Sequence, residues 1–229
     1  MVLTLNNDVI SRLLYINPIV IYGEQGSGRT IFMFQTCRSL LARGYTGYFL
    51  TSVRSYNTIS EYLRFRSRDS LNLRVYIYDD FSLEKRLKLF LDVLRDARDI
   101  YNRKPKISIF LDDFLPIQLQ LARSINVDAA KFLSKLLFWT KFLSNLNQHF
   151  FVMISALENV RRGFPFKARF YVSYNFNLLY ICRVSRIRKF YLPKIDPNKM
   201  AIVQLEELWR GLVSPQGFII EKAEQEEEQ

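Results

Sequence analysis

The sequence predicts an α/β domain with a central, mostly parallel sheet that helices flank and that antiparallel C-terminal strands extend. Up to about residue 155, short apolar runs alternate with segments of helical periodicity. Repeated β–α alternation favours parallel strands with helices on both faces. After that point, strand-like runs follow one another with short connections, which is typical of antiparallel pairing. A glycine-rich turn between the first strand and the first helix is a third indication of this fold class.

The part of the chain that ends at Ile154 predicts strands separated by helices. Apolar runs predict the strands Pro18–Tyr22, Gly47–Thr51, Leu73–Tyr78, Lys106–Leu111 and His149–Ile154. Helical periodicity predicts the helices Arg29–Arg43, Tyr56–Arg66, Ser82–Arg103 and Asn126–Asn147. Gly44 ends the first of these helices, and Ser82 suits the N-cap of the third. The last helix carries apolar side chains at helical spacing, namely Phe132, Leu136, Trp139 and Phe142.

The C-terminal third predicts an antiparallel extension of the sheet. Its strand-like runs are Arg169–Ser173, Leu178–Arg183, Lys189–Pro193, Met200–Leu205 and Gly217–Glu221. Neither an internal repeat nor a low-complexity linker divides the chain, so we expect a single domain over residues 1–221. The acidic tail at residues 222–229 is expected to be disordered.

The charge balance favours a polyanionic partner. The chain carries a formal charge of +11, and removing the tail Glu221–Gln229, with five Glu and one Lys, leaves a body of +15. Such a body favours nucleic acid and, less often, a membrane surface. The charged surface of a thermophilic protein is the alternative interpretation.

Cysteine and histidine are too scarce for several kinds of site. Cys37 and Cys182 stand in apolar contexts that are typical of core residues, and His149 is the sole histidine. This composition excludes a zinc site and a His-based catalytic triad. We find no signal-peptide pattern and no apolar stretch long enough for a membrane span, so we expect a cytoplasmic, nucleoid-associated protein without membrane contact.

The segment Gly23–Thr30 (GEQGSGRT) fits the phosphate-binding pattern G-x-x-x-x-G-K-[ST], with arginine in place of lysine. A buried strand precedes it and a helix follows it, as this motif requires. Glycines let backbone N–H groups surround a phosphate, and the helix N-terminus adds partial positive charge. The alternative is a glycine-rich turn without a ligand. The predicted nucleotide-binding residues are Gly23, Glu24, Gln25, Gly26, Ser27, Gly28, Arg29 and Thr30.

The run Ile107–Asp113 (ISIFLDD) supplies a second part of such a site. An apolar strand that ends in aspartate places a carboxylate beside the Mg²⁺ of P-loop proteins. We predict that Asp112 and the Thr30 hydroxyl hold the metal, with Asp113 as a neighbour on the loop side.

The order of these parts resembles that of the RecA/RadA recombinase superfamily, and most closely its short archaeal paralogue RadB. The resemblance covers about Asn17 to Glu221, and rests on the pattern of elements. The stretch Ile107–Leu157 is similar to the family's Walker B strand, long helix and following strand. The last residues (MAIVQLEELWRGLVSPQGFIIEK) resemble its closing strands. The resemblance implies a RecA-like P-loop core that binds ATP and Mg²⁺.

Three features of that family are changed here. Its catalytic Glu after the second strand corresponds to Ser52, and a hydroxyl is a poor base for water. Its fifth strand ends in a Gln, whereas Met153–Leu157 (MISAL) contains none, and Arg29 replaces the loop lysine. We therefore expect weakened nucleotide binding and slow or absent hydrolysis. Glu84 and Asp79 are alternative bases, although they follow a different strand.

The segment Glu158–Arg169 (ENVRRGFPFKAR) is a candidate contact for single-stranded DNA, because the resemblance places a mobile DNA-binding loop here. Basic side chains hold phosphates, and aromatic rings stack on unpaired bases. An ordinary basic loop with its Phe residues in the core is the alternative. A second basic cluster, Arg183–Lys194, is interpreted mainly as the solvated face of a strand. The predicted DNA-binding residues are Arg161, Arg162, Phe164, Lys167 and Arg169.

Together these features predict a recombinase paralogue that acts as an accessory in homologous recombination and DNA repair. It would bind DNA and a partner, either the recombinase or another paralogue subunit, in a hetero- or homo-oligomer. One alternative is an active P-loop DNA motor or packaging ATPase, which predicts fast DNA-stimulated hydrolysis. Another is a non-enzymatic pseudo-ATPase subunit of a heteromeric complex, and a small-molecule kinase is a weaker possibility.

Overall fold

The computed structural model describes residues 4–63, 72–78, 83–101, 106–112, 127–146, 149–157, 176–196, 201–214 and 217–222 of the chain. The helices in these ranges are α1 (Asn7–Tyr15), α2 (Arg29–Leu41), α3 (Val53–Leu63), α4 (Leu83–Tyr101) and α5 (Val127–Leu146). The strands are β1 (Ile19–Gly23), β2 (Thr46–Ser52), β3 (Leu73–Tyr78), β4 (Ile107–Leu111), β5 (Phe150–Leu157), β6 (Asn177–Val184), β7 (Ile187–Asp196), β8 (Ala201–Ser214) and β9 (Gly217–Lys222).

These strands form one sheet in the order β3-β2-β4-β5-β1-β6-β7-β8-β9. Strands β1 to β6 pair in parallel, and β7, β8 and β9 follow β6 as an antiparallel extension. The predicted α/β class, with a mostly parallel sheet and antiparallel C-terminal strands, is therefore confirmed.

One strand was predicted with the wrong direction. The run Leu178–Arg183 was placed in the antiparallel extension, but it lies within β6, which pairs in parallel with β1 from Ile19 opposite Asn177. A parallel return needs a crossover of about a dozen residues or more, and residues 158–176 between β5 and β6 are long enough to provide it. Antiparallel pairing begins only at the short turn between Val184 and Ile187.

Helices cover both faces of the sheet, as predicted. Alternate side chains of β1 point to opposite faces, so Ile19 and Ile21 join one core cluster, while Val20 and Tyr22 join the other. The first cluster contains the buried sides of α1, α2 and α3, and the second contains those of α4 and α5. In the antiparallel extension, Trp209 is buried in the first cluster with its ring against Phe190.

Helix α1 and strand β8 also differ from the sequence-based prediction. Helix α1 was not predicted, although Asn6 caps it by accepting a hydrogen bond from the Val9 N–H at 2.9 Å. Strand β8 runs from Ala201 to Ser214, well past the predicted Met200–Leu205. The charged residues after Leu205 interrupt the apolar alternation from which strands are predicted. Glu207 in fact contributes to it by pairing with Lys189 on β7.

Of the two cysteines, Cys37 is buried as predicted, and burial raises the pKa of its thiol. Cys182 on β6 is only half-buried. The predicted strand Arg169–Ser173, Asp79, Asp113 and most of the acidic tail lie outside the described residues. None of the described helices combines the length and the apolar character that crossing a membrane requires.

Candidate nucleotide site

The loop Gly23–Thr30 connects the end of β1 to the start of α2. Gly26 and Gly28 have φ angles of 77° and 93°, a left-handed conformation that glycine adopts without strain. Gly28 is the N-cap of α2 and offers no side-chain cap, so the first N–H groups of the helix are available to a ligand. The Ser27 hydroxyl is buried and has no hydrogen-bond partner among the described residues. These features together suit the binding of an anion.

Two glycines of the loop are required by close packing. A Cβ at Gly23 would lie 2.3 Å from the carbonyl oxygen of Ile181 on β6. A Cβ at Gly28 would lie 2.6 Å from the ring of Phe218 on β9. The loop is thus held between the parallel sheet and the antiparallel extension, which fixes its shape.

Beneath the loop, the Thr30 hydroxyl donates to both carboxylate oxygens of Asp112, at 3.0 and 3.2 Å. Asp112 directly follows β4 and is completely buried. The Thr51 hydroxyl at the end of β2 donates to the same carboxylate at 3.2 Å, and the Tyr78 hydroxyl donates to the Asp112 carbonyl at 2.6 Å. The structure therefore brings the two predicted metal ligands together, and their oxygen atoms are the donor type that Mg²⁺ prefers.

Arg29 occupies the lysine position of the motif and is only 9% exposed. Its Nη1 donates to the hydroxyl of Ser155 on β5 at 3.1 Å. Ser155 lies in the stretch where the RecA/RadA resemblance leads us to expect a glutamine. The guanidinium group is thus held at the floor of the site, near the end of β5.

Arg188 on β7 is a site residue that the sequence did not reveal. Its Nε donates to the Ser27 carbonyl and its Nη2 to the Gly26 carbonyl, both at 3.2 Å. The side chain is 8% exposed, and burial together with the charge of Arg183 lowers its pKa. Interpreting this stretch as a solvated strand face was wrong for Arg188, because alternation along β7 turns this residue towards the loop.

These residues surround a cleft of about 310 Å³, which lies at the lower end of the range for small-molecule sites. Three guanidinium groups line it, and no carboxylate of the described residues does. The predicted loop residues Gly23 and Glu24 are not among the residues that line the cleft. Gly23 ends β1, and the Glu24 carbonyl accepts from the Ser27 N–H. The cleft is lined by Gln25, Gly26, Ser27, Gly28, Arg29, Thr30, Ile31, Arg54, Ser55, Arg188 and Val213.

Ser52 stands where the resemblance places a catalytic Glu, and it has a different contact here. It ends β2, and its hydroxyl oxygen accepts a hydrogen bond from the Ser55 N–H at 3.2 Å. This is the geometry of a helix N-cap, and α3 begins at the next residue. Ser52 therefore stabilises the start of α3. The alternative base Glu84 lies on α4, and its side chain is outside the described part of the chain.

The predicted DNA-binding residues Arg161, Arg162, Phe164, Lys167 and Arg169 fall outside the described residues. No family model matches the chain, and no curated protein is significantly similar to it. The assignment of the site therefore rests on the geometry of the loop, the Thr30–Asp112 pair and the arginines around them.

Proposed function

We propose that this protein is a RecA-like P-loop protein that binds ATP with Mg²⁺ and hydrolyses it slowly or not at all. The observation that carries the proposal is the contact of the Thr30 hydroxyl with the buried Asp112 carboxylate under a glycine-rich loop. A strand-loop-helix unit with a hydroxyl and a carboxylate at these positions matches the requirements of a nucleotide triphosphate site.

In this proposal each described group has a separate task. Backbone N–H groups of the loop and of the start of α2 bind the phosphates, while Arg29 and Arg54 add positive charge. Thr30 and Asp112 would hold a magnesium ion, and such an ion would supply positive charge beside the phosphates. Ile31 and Val213 supply apolar surface to the lining of the cleft.

Slow hydrolysis follows from the side chains around the cleft. A general base must lie within hydrogen-bond reach of the attacking water. No carboxylate of the described residues lines this cleft, and the Asp112 carboxylate beneath it accepts hydrogen bonds from Thr30 and Thr51. Ser52 is engaged as the cap of α3. Arg29 is longer and more rigid than lysine, and it is bonded to Ser155.

For the biological role we propose an accessory function in homologous recombination and DNA repair. Its support is the resemblance to recombinase paralogues, the charge of +15 on the body, and the basic and aromatic composition of Glu158–Arg169. The nucleotide would then act as a switch or a structural ligand. The partner would be the recombinase or another paralogue subunit.

The first test is MgATP binding measured by thermal shift and calorimetry, on the wild type and on Arg29→Ala and Asp112→Asn variants. Nucleotide at ~100 times its Kd stabilises a protein by about 2.7 kcal/mol, which corresponds to a rise in Tm of about 5–10 °C for a chain of this size. We expect that rise in the wild type and its loss in both variants. Asp99→Asn, an exposed change on α4, is the matched control and should behave as wild type.

Phosphate release with and without oligo(dT) tests the hydrolysis part of the proposal. We expect turnover at least ~100-fold below the ~10 s⁻¹ of a median enzyme. Fast, DNA-stimulated turnover that both site variants abolish would instead establish the motor alternative. DNA binding that survives replacement of Arg161, Arg162 and Lys167 by Ala would exclude the proposed loop contact.

A pseudo-ATPase subunit is the second candidate, and one observation favours it. Arg29 already donates a buried hydrogen bond to Ser155, so part of its hydrogen-bonding capacity is satisfied without a ligand. This candidate predicts no thermal shift with MgATP in the wild type. That single result would separate it from the leading proposal.

A further inference from the structure

Helix α5 is apolar on two opposite sides. Its inner side packs on the sheet and on α4 through Leu136 and Leu137, and Thr140 is buried on the same side. Its outer side carries Phe138, Trp139 and Phe142, which are 60%, 54% and 41% exposed. A surface helix normally has one apolar stripe facing the core and a polar opposite face. The second apolar side of α5 therefore needs an explanation other than core packing.

The three outer side chains form one continuous surface, which we name the aromatic patch. The Phe138 and Phe142 rings stack with centroids 6.4 Å apart, and the Trp139 ring meets Phe142 edge-on at 5.6 Å. Exposed aromatic clusters are uncommon on monomeric proteins and are enriched at the centres of protein interfaces. The patch thus has the composition of a binding hot spot.

Two lysines extend the same side of the helix. Lys131 and Lys135 are exposed, and they precede Phe138 and Phe142 at the spacing that places residues on one helical stripe. The outer side of α5 is therefore positively charged at its N-terminal end and apolar at the aromatic patch. An occupant that complements it must carry apolar side chains next to carboxylates.

Other occupants match these features less well. Single-stranded nucleic acid stacks successive bases on ring faces, whereas the exposed Trp139 ring stands edge-on to both Phe138 and Phe142, so the three rings share no common stacking direction. A second copy in a two-fold dimer presents the same helix surface, and the sequence from Lys131 to Leu146 contains no Asp or Glu that could pair with the lysines. The chain's own tail (AEQEEEQ) supplies carboxylates but no large apolar side chain.

We propose that the outer side of α5 is a docking surface for an acidic, amphipathic segment of a partner protein. The aromatic patch takes the apolar side chains of that segment, and Lys131 and Lys135 pair with its carboxylates. The surface acts independently of the nucleotide site, so the proposal does not depend on the function proposed above.

The test is selection of a phage-displayed library of random peptides on the immobilised full-length protein. We expect enriched peptides to combine large apolar residues at helical spacing with Asp or Glu. Synthetic versions should bind the triple variant Phe138→Ser, Trp139→Gln, Phe142→Ser at least ~10-fold more weakly than wild type. The variant Lys131→Glu, Lys135→Glu should disfavour the acidic peptides and retain a folded protein.

The matched control is Val203→Ser, Leu205→Ser, which removes exposed apolar side chains of β8 outside the patch. It should bind the selected peptides as wild type does. No enrichment, or peptides that bind the triple variant equally well, would overturn the proposal. The proposal would also be overturned if wild type bound oligo(dT), anionic lipid vesicles or a second copy of itself and the triple variant lost that binding. The aromatic patch would then be the binding site for that other occupant.

Discussion

Gly28 shows how a single position can serve the loop and the core at once. Its φ of 93° gives the loop its turn, and its missing side chain makes room for the ring of Phe218. That ring cannot easily move, since it is buried against Phe32 and Phe190. The position therefore excludes a side chain for two separate reasons.

Gly28→Ala should destabilise the protein by about 2–4 kcal/mol, because a strained backbone costs about 1–3 kcal/mol and the clash adds to it. Gly44→Ala is the matched control, since Gly44 also has a positive φ of 82° but nothing lies within 4 Å of the added Cβ. It should cost only about 1–2 kcal/mol. Urea unfolding measures both values, and equal losses would show that the contact with Phe218 is unimportant.

At the scale of single residues, the sequence predicted those site residues that belong to a local motif. Thr30 and the loop glycines are contiguous, and Asp112 follows an apolar strand, so pattern alone identified them. Thr51 could have been suspected as a polar residue ending the second strand. Arg188 has no local signal, because it reaches Ser27 across 161 residues of sequence.

At the scale of secondary-structure elements, one carboxylate reinforces the pairing of β7 with β8. Glu207 on β8 accepts from Lys189 on β7 at 3.0 Å and from Arg210 on its own strand. Burial acts to raise the pKa of Glu207, but the hydrogen bonds from Arg210 and Lys189 outweigh it and hold that pKa below its usual value. The ionised form is therefore the one that stabilises the ladder.

Glu207→Gln should lower stability by about 1 kcal/mol near neutral pH. A depressed folded-state pKa contributes stability above the unfolded-state pKa of about 4.3, and this contribution is lost as pH falls through the folded value. The difference between variant and wild type should thus shrink below about pH 4. Thermal unfolding across acid pH measures it. Glu206→Gln is the control, since the ion pair of Glu206 within the described residues is an exposed one with Arg12 at 3.8 Å. A pH-independent difference at Glu207 would count against the ion pairs.

Helices and strands were predicted correctly where the apolar periodicity was uninterrupted. The prediction failed where tertiary contacts determine the length of an element or the direction in which its side chains point. Strand β3 was predicted with its observed bounds. Strand β8 was predicted too short because its charged residues broke the apolar alternation, although one of them, Glu207, pairs with Lys189 on β7. The helical spacing within α5 was correct, yet spacing could not show that Trp139 and Phe142 point away from the core.

At the scale of the whole molecule, Arg188 joins the antiparallel extension to the phosphate-binding loop. It lies on β7, and its guanidinium holds two carbonyls of a loop that begins at β1. The alternating pattern predicted the fold class and the two covered faces. The direction of β6 and this long-range contact depend on how the chain returns after β5, which periodicity does not encode.

Arg188→Met should loosen the loop, because it leaves two loop carbonyls without their donors. We expect faster amide hydrogen exchange in residues 24–28 and about 10-fold weaker MgATP binding. Arg186→Met, an exposed change beside it, should alter neither. Unchanged exchange in the Arg188 variant would show that the loop holds its shape alone, whether or not nucleotide binds.

The placement of the two tryptophans gives the molecule two separate optical reporters. Trp209 is enclosed beside Phe190, so its emission should be blue-shifted and protected from quenchers. Trp139 lies on the outer side of α5 and should account for the red, quenchable part of the spectrum. Loss of the first component would signal opening of the sheet's C-terminal half, while protection of the second would signal docking on α5.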